Sequence, residues 1–143
     1  MKYILYNTTV LVLLSWFCST ANAFTNLDEE LNFMVQDANR NLPRMMSGDI
    51  RADSIEVVEG NLYFYYTFVN YDSATVPYAL TSFYQLIELQ KPSVKTRFCN
   101  DINFQRVLKS GKYISTVYRD KNSATVYGPG LLITSSSCEE PPM

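Results

Sequence analysis

Asp49, Asp53 and Glu56 bracket Arg51 in the stretch Asp49-Ile50-Arg51-Ala52-Asp53-Ser54-Ile55-Glu56, and Glu59 follows shortly after. Two carboxylates on one surface can divide general-acid and general-base work, as in glycoside hydrolysis. A hydrolase with Asp49, Asp53 and Glu56 as its working groups is therefore one chemistry the sequence allows. The competing reading is a solvated strand edge whose acids pair with Arg51 and Arg44. Surface charges default to that arrangement, and it is the better expectation here.

Other catalytic options are thin. The chain contains no histidine, which removes the commonest general base, the usual zinc ligand and any Ser-His or Cys-His pair. No phosphate-cradling glycine motif occurs; Gly128-Pro129-Gly130 lacks a following helix. The acids Asp28, Glu29 and Glu30 are explained by a helix start and need no metal. We expect no catalytic residues, no cofactor and no metal, hence no enzyme.

Tyrosine is the remaining chemical resource, with 11 Tyr and 8 Phe in 143 residues. Aromatic side chains favour strands, which accounts for most of them. They are also enriched at binding surfaces, where a rigid ring with a polar tip supplies contact area. The run Asn61-Leu62-Tyr63-Phe64-Tyr65-Tyr66-Thr67-Phe68-Val69-Asn70-Tyr71 reads as the central strand. Successive side chains alternate between faces. Leu62, Phe64, Tyr66 and Phe68 should face a core, leaving Tyr63, Tyr65, Thr67 and Val69 on an amphipathic face. Tyr63 and Tyr65 are the candidate binding surface.

The first residues set the compartment. Met1 to Ala23 reads as a cleavable secretory signal: basic Lys2, the apolar run Val10 to Phe17, and the small-residue site Ala21-Asn22-Ala23. The run is far short of the ~20 apolar residues a membrane span requires. A lipoprotein signal at Cys18 is disfavoured by the bulky Phe17 before it. The domain then covers residues 24–138, with 139–143 as a frayed tail, in the periplasm or outside the cell. Net charge is −2, and there is no basic stripe, which disfavours nucleic acid and anionic membranes as partners. Cys18 leaves with the signal, and Cys99 and Cys138 form an even pair in an oxidising compartment, so a disulfide between them is expected.

The elements that would position these groups follow from periodicity. Leu27, Leu31, Met34, Val35, Ala38 and Leu42 recur at helical spacing, with Thr25 or Asn26 as cap. A strand carrying Ile55 and Val57 turns at Glu59-Gly60 into the central strand. Pro77 opens a second helix that Pro92 should break. A third helix from Asp101 to Ser110 would bury Ile102, Val107 and Leu108, with Gly111 at its end. Tyr113–Tyr118 and Ala124–Tyr127 form a second hairpin, before Leu131–Thr134. The expected fold is α+β: a four-stranded antiparallel sheet of two hairpins, with about three helices on one face, in the order α-β-β-α-α-β-β.

Asn41-Leu42-Pro43-Arg44-Met45-Met46, Arg51-x-Asp53-Ser54-Ile55, Tyr66-Thr67-Phe68-Val69-Asn70-Tyr71, Cys99, Gly111, Tyr118-Arg119-Asp120 and the late Cys138 resemble small exported bacterial proteins of unassigned activity. The resemblance implies a disulfide-closed α+β domain and brings no catalytic residues with it. The reading that follows is a small periplasmic, non-enzymatic binding or accessory protein whose partner is another periplasmic or secreted protein. An immunity-type inhibitor of a toxin delivered to the periplasm is one alternative. The carboxylate hydrolase and a small-ligand carrier with its pocket between sheet and helix are the others.

Overall fold

The structure, a computed structural model, describes residues 26–75, 79–127 and 130–139. Asn26 caps the first helix, α1 (Leu27–Asn39), accepting from the Glu29 amide at 2.8 Å. The acids of its first turn sit at the positive end of the helix dipole. The two-residue β1 (Arg44–Met45) follows, then β2 (Ile50–Val58) and β3 (Asn61–Phe68). Glu59 and Gly60 carry the turn between β2 and β3 at φ +52 and +79, the backbone that a two-residue hairpin needs. A Cβ on Gly60 would come within 2.8 Å of Lys112, whose ammonium donates to the Glu59 carbonyl at 2.6 Å.

After β3 come α2 (Ala79–Asn100), α3 (Ile102–Lys109), β4 (Ile114–Arg119), β5 (Thr125–Tyr127), β6 (Leu132–Ile133) and α4 (Ser135–Glu139). The sheet order is β1-β2-β3-β4-β5, with β6 on β4. β3 takes one whole edge of β4, so β5 and β6 share the other: β6 pairs Ile114 and Ser115, and β5 pairs Tyr118 and Arg119. The fold class is α+β, but the sheet is mixed. β3 and β4 run parallel, with Leu62 opposite Ile114 and Thr67 opposite Arg119. Two hairpins read separately give no orientation for their join. Here α2 and α3 carry the chain back to the end where β3 began, the crossover that parallel pairing requires.

Two further expectations are corrected. Pro92 lies inside α2 rather than ending it. Proline costs a helix interior about 3 kcal/mol, yet Ile87 before it and Phe98 after it are both buried, and keeping both against the sheet outweighs that loss. Cys99 therefore rides the last turn of α2. Ile102 is 65% exposed, because Asp101 caps α3 and the buried stripe begins at Phe104. α4 ends at Glu139, and residues 140–143, the signal segment, Pro77 and Gly128-Pro129 lie outside the described residues.

The described helices pack on one face of the sheet. Leu31, Val35 and Ala38 from α1, Phe98 from α2, and Phe104, Val107 and Leu108 from α3 meet Ile55, Leu62, Phe64, Ile114 and Ile133 in one cluster. A smaller cluster joins Phe68, Tyr71 and Ile87. At the β2 edge, Asn39 takes both backbone groups of Ile55, donating at 2.7 Å and accepting at 2.8 Å. A side chain thus substitutes for a neighbouring strand beyond the two residues β1 covers.

Asp120 is 1% exposed and joins the loop after β3 to the loop after β4. It accepts from the Ser73 hydroxyl at 2.7 Å and amide at 3.1 Å, and from the amides of Asn122 and Ala124 at 2.8 and 2.9 Å. These donors, the Ser73 hydroxyl first, bring its carboxyl from 3.8 down to about 2. A depressed carboxyl contributes stability above its unfolded value and loses it as pH falls through the folded one. Urea midpoints measured from pH 5 to pH 2 should therefore fall more steeply for the wild type than for Asp120→Asn. Asp120→Asn should also be the less stable of the two at pH 7.

Candidate functional site

The face of the sheet that none of the described helices covers is built by strand alternation. Tyr63, Tyr65 and Thr67 project from β3 opposite to Leu62, Phe64 and Phe68, which are buried. Register partners share a face. Tyr63 lies beside Glu56 and Ser115, Tyr65 beside Ser54 and Val117, and Thr67 beside Arg51 and Arg119. Continuing outward, Val58 pairs with Asn61, Met45 with Arg51, and Leu132 with Ser115. Large hydrophobic side chains are exposed at Met45 (46%), Val58 (45%), Ile102 (65%) and Leu132 (48%) among the described residues. All but Ile102 belong to this face.

A bulge places the carboxylate at its lower end. Ala52 pairs with Tyr66 and Ser54 with Tyr65, so Asp53 is the extra residue. The insertion lets Ala52 and Ile55, three apart, both face the core while Asp53 and Ser54 point outward. Asp53 holds the Arg51 guanidinium at 2.5 Å and accepts from the Thr67 hydroxyl at 2.5 Å. Asp49 sits apart, accepting from Asn70 at 2.8 Å. Glu56 is exposed beside Tyr65. The three acids singled out by spacing are thus spread along one strand, with Asp53 engaged on Arg51 and Thr67, and Asp49 on Asn70.

The aromatic groups do converge. The Tyr63 and Tyr65 rings lie 6.5 Å apart at an interplanar angle of 24°. Tyr113, just before β4, meets Tyr63 edge-on at 5.8 Å, and the two hydroxyls share a hydrogen bond. That bond, then partial burial, pushes the Tyr63 hydroxyl up to about 12. Tyr65 is raised too, first by burial and then by the Glu56 carboxylate. The Arg119 guanidinium lies over the Tyr65 ring, 4.4 Å from its centroid, a cation–π contact. Both phenols stay neutral donors at physiological pH, so the face presents rings and hydroxyls, not phenolates.

Tyr113 and Arg119 are the functional candidates that sequence reasoning passed over. Extending the alternation of Ser115 and Val117 reaches Arg119. Only the parallel β3–β4 register brings it onto Tyr65. Cys99 and Cys138 lie elsewhere. They are bonded with Cα atoms 5.4 Å apart, linking α2 to α4 and packing against the core on the helical side. Among the described residues no group of His, Cys, Asp and Glu could hold a metal ion. No described helix is long and apolar enough to cross a membrane.

No protein-family model and no curated protein match the chain. Two solved structures share its fold. A candidate secreted protein of Pseudomonas aeruginosa superimposes with a TM-score of 0.62 at 14% identity, covering 78% of this chain and 92% of that one. The pilotin of the Vibrio vulnificus type 2 secretion system superimposes with a TM-score of 0.55 at 14% identity, covering 80% of this chain and 93% of the pilotin.

Proposed function

We propose that this chain is a small exported accessory protein that acts by protein–protein contact through the sheet face that none of the described helices covers, with no catalytic step. The observation that carries the reading is the gathering of Tyr63, Tyr65 and Tyr113 with exposed Met45, Val58 and Leu132 on one face. Exposed apolar side chains scattered over a surface need no explanation, whereas here they share one sheet face with three clustered tyrosines, the residue type enriched at interaction surfaces. Tyrosine and arginine are the residue types enriched at such contacts. The signal-like N-terminus supports export. The fold shared with a candidate secreted protein and a secretion-system pilotin is compatible with an accessory role.

The test is the double substitution Tyr63→Ser with Tyr65→Ser. The protein should keep its circular dichroism spectrum and cooperative melting, while retention of its partner from periplasmic extract falls at least about tenfold, as for loss of interface tyrosines. A folded double variant that retains the partner fully would place the interface elsewhere. An unfolded one would make the tyrosines a second packing layer.

A further inference from the structure

We infer that Arg119 is the docking point for an acidic side chain of the protein partner, an Asp or Glu set among apolar residues that cover Val58 and Leu132. The inference rests on the protein-contact reading above and gives the partner its chemistry. Its basis is the contrast between Arg119 and Arg40, Arg51 and Arg106. Arg40 pairs with Asp37, Arg51 with Asp53, and Arg106 makes two hydrogen bonds to Glu30 at 2.6 Å each. Arg119 is half-buried, and among the described residues no carboxylate comes within ion-pair distance of it. Its partner is the Tyr65 ring, with the guanidinium carbon 4.4 Å from the ring centroid. A cation–π contact uses none of the guanidinium N–H donors. A guanidinium is planar and presents five donors that match a carboxylate in pairs.

Neighbouring charges do not supply the missing anion. Asp53, one strand beyond Thr67, is occupied by Arg51 and by the Thr67 hydroxyl. Glu56 reaches across from β2 to the Tyr65 hydroxyl, so it engages the same ring from the other side and forms no ion pair with Arg119. Among the described residues, Arg119 at the lower end of the face has no carboxylate partner, while Val58 and Leu132 are uncovered at the upper end and Met45 at the lower end, in the row of Arg51 and Thr67. Arg119 and Ser115, which pairs with Leu132, are separated by roughly 13 Å along β4 at about 3.3 Å per residue. A partner segment that answers both ends presents an acid on one side and apolar side chains on the other. Desolvating the pair on closure would make it matter more than an exposed surface ion pair.

The test uses the full chain in its native host, with the photoreactive residue p-benzoylphenylalanine in place of Leu132. Irradiation should yield an adduct, and mass spectrometry should place the crosslink in a segment carrying Asp or Glu. Affinity is then measured between the purified protein and that partner. Arg119→Glu should weaken binding at least about tenfold, and exchanging the partner's acid for Lys should restore most of the loss. Arg119→Gln, should Arg119→Glu not fold, should weaken binding and flatten its salt dependence. Wild-type affinity in both arginine variants overturns the inference. So does a loss that charge exchange does not repair, or an adduct formed only with a second copy of this chain. If the Tyr63 and Tyr65 double variant releases the partner while the Arg119 variants do not, the contact reading stands and the acidic docking point falls. If no variant releases it, both fall.

Discussion

Phe64→Ala should cost about 3–5 kcal/mol, as for other buried aromatic truncations. Phe64 is 4% exposed and is the ring through which β3 meets two helices. Its centroid lies 5.3 Å from Phe98 of α2 and 6.1 Å from Phe104 of α3, and those two lie 4.8 Å from each other. Tilted and edge-on pairs of this kind are worth about 0.5–1.5 kcal/mol beyond the area they bury. Truncation removes one corner of the triad and leaves a cavity. The backbone around it is fixed by β2 on one side and β4 on the other, so the site cannot collapse to fill it. A domain of this size has about 5–15 kcal/mol in total, so the variant should lose a large fraction of its stability. Urea midpoints with an unchanged slope measure it. Val58→Ala, at an exposed position on the same hairpin, should stay within about 0.5 kcal/mol. A loss below ~1 kcal/mol at Phe64 would mean that the triad contributes little and that the core is held chiefly by the aliphatic residues of α1 and α3.

Much of this core could be read from the sequence, because alternation in Asn61 to Phe68 and the helical spacing of Leu31, Val35 and Ala38 are local signals. The Glu59-Gly60 turn was legible for the same reason: only certain residues tolerate positive φ. What was not legible depends on distant residues. Nothing local in Tyr113 to Arg119 says that this strand lies parallel to β3, and so nothing local puts Arg119 on Tyr65. Pro92 reads as a stop by its intrinsic cost, and only the burial of Ile87 and Phe98 on either side of it reverses that. The bulge at Asp53 hid in the same way. A one-residue insertion looks like weak alternation until Ala52 and Ile55 are both seen to face the core. Tyr63 and Tyr65 were identifiable as one face of a strand. That no described helix covers this face is a property of how α1, α2 and α3 pack, which composition does not contain.

Cys138→Ser should lower stability by about 2–5 kcal/mol. The bond to Cys99 closes a sequence separation of 39 residues. In the chain-entropy account a loop of that length is worth about 4 kcal/mol through the unfolded state alone. The folded state adds a second contribution. α4 has no buried residue of its own, so its place against α2 and α3 depends on the bond and on the Thr134 and Ser137 hydroxyls that close its start. Ile133, two residues before its first residue, is fully buried and pairs with Ile114, which anchors the chain up to that point without any disulfide. Two measurements separate the contributions. Urea denaturation of Cys138→Ser, and of the wild type in reductant, should show the global loss. Amide exchange should show α4 opening well before β6 does. If α4 opens but the urea midpoint does not move, the bond is a local tether and the unfolded-state argument fails. If alkylation of the native protein without reductant labels both Cys99 and Cys138, the bond does not form in solution, and α4 must be held by its hydroxyl contacts alone.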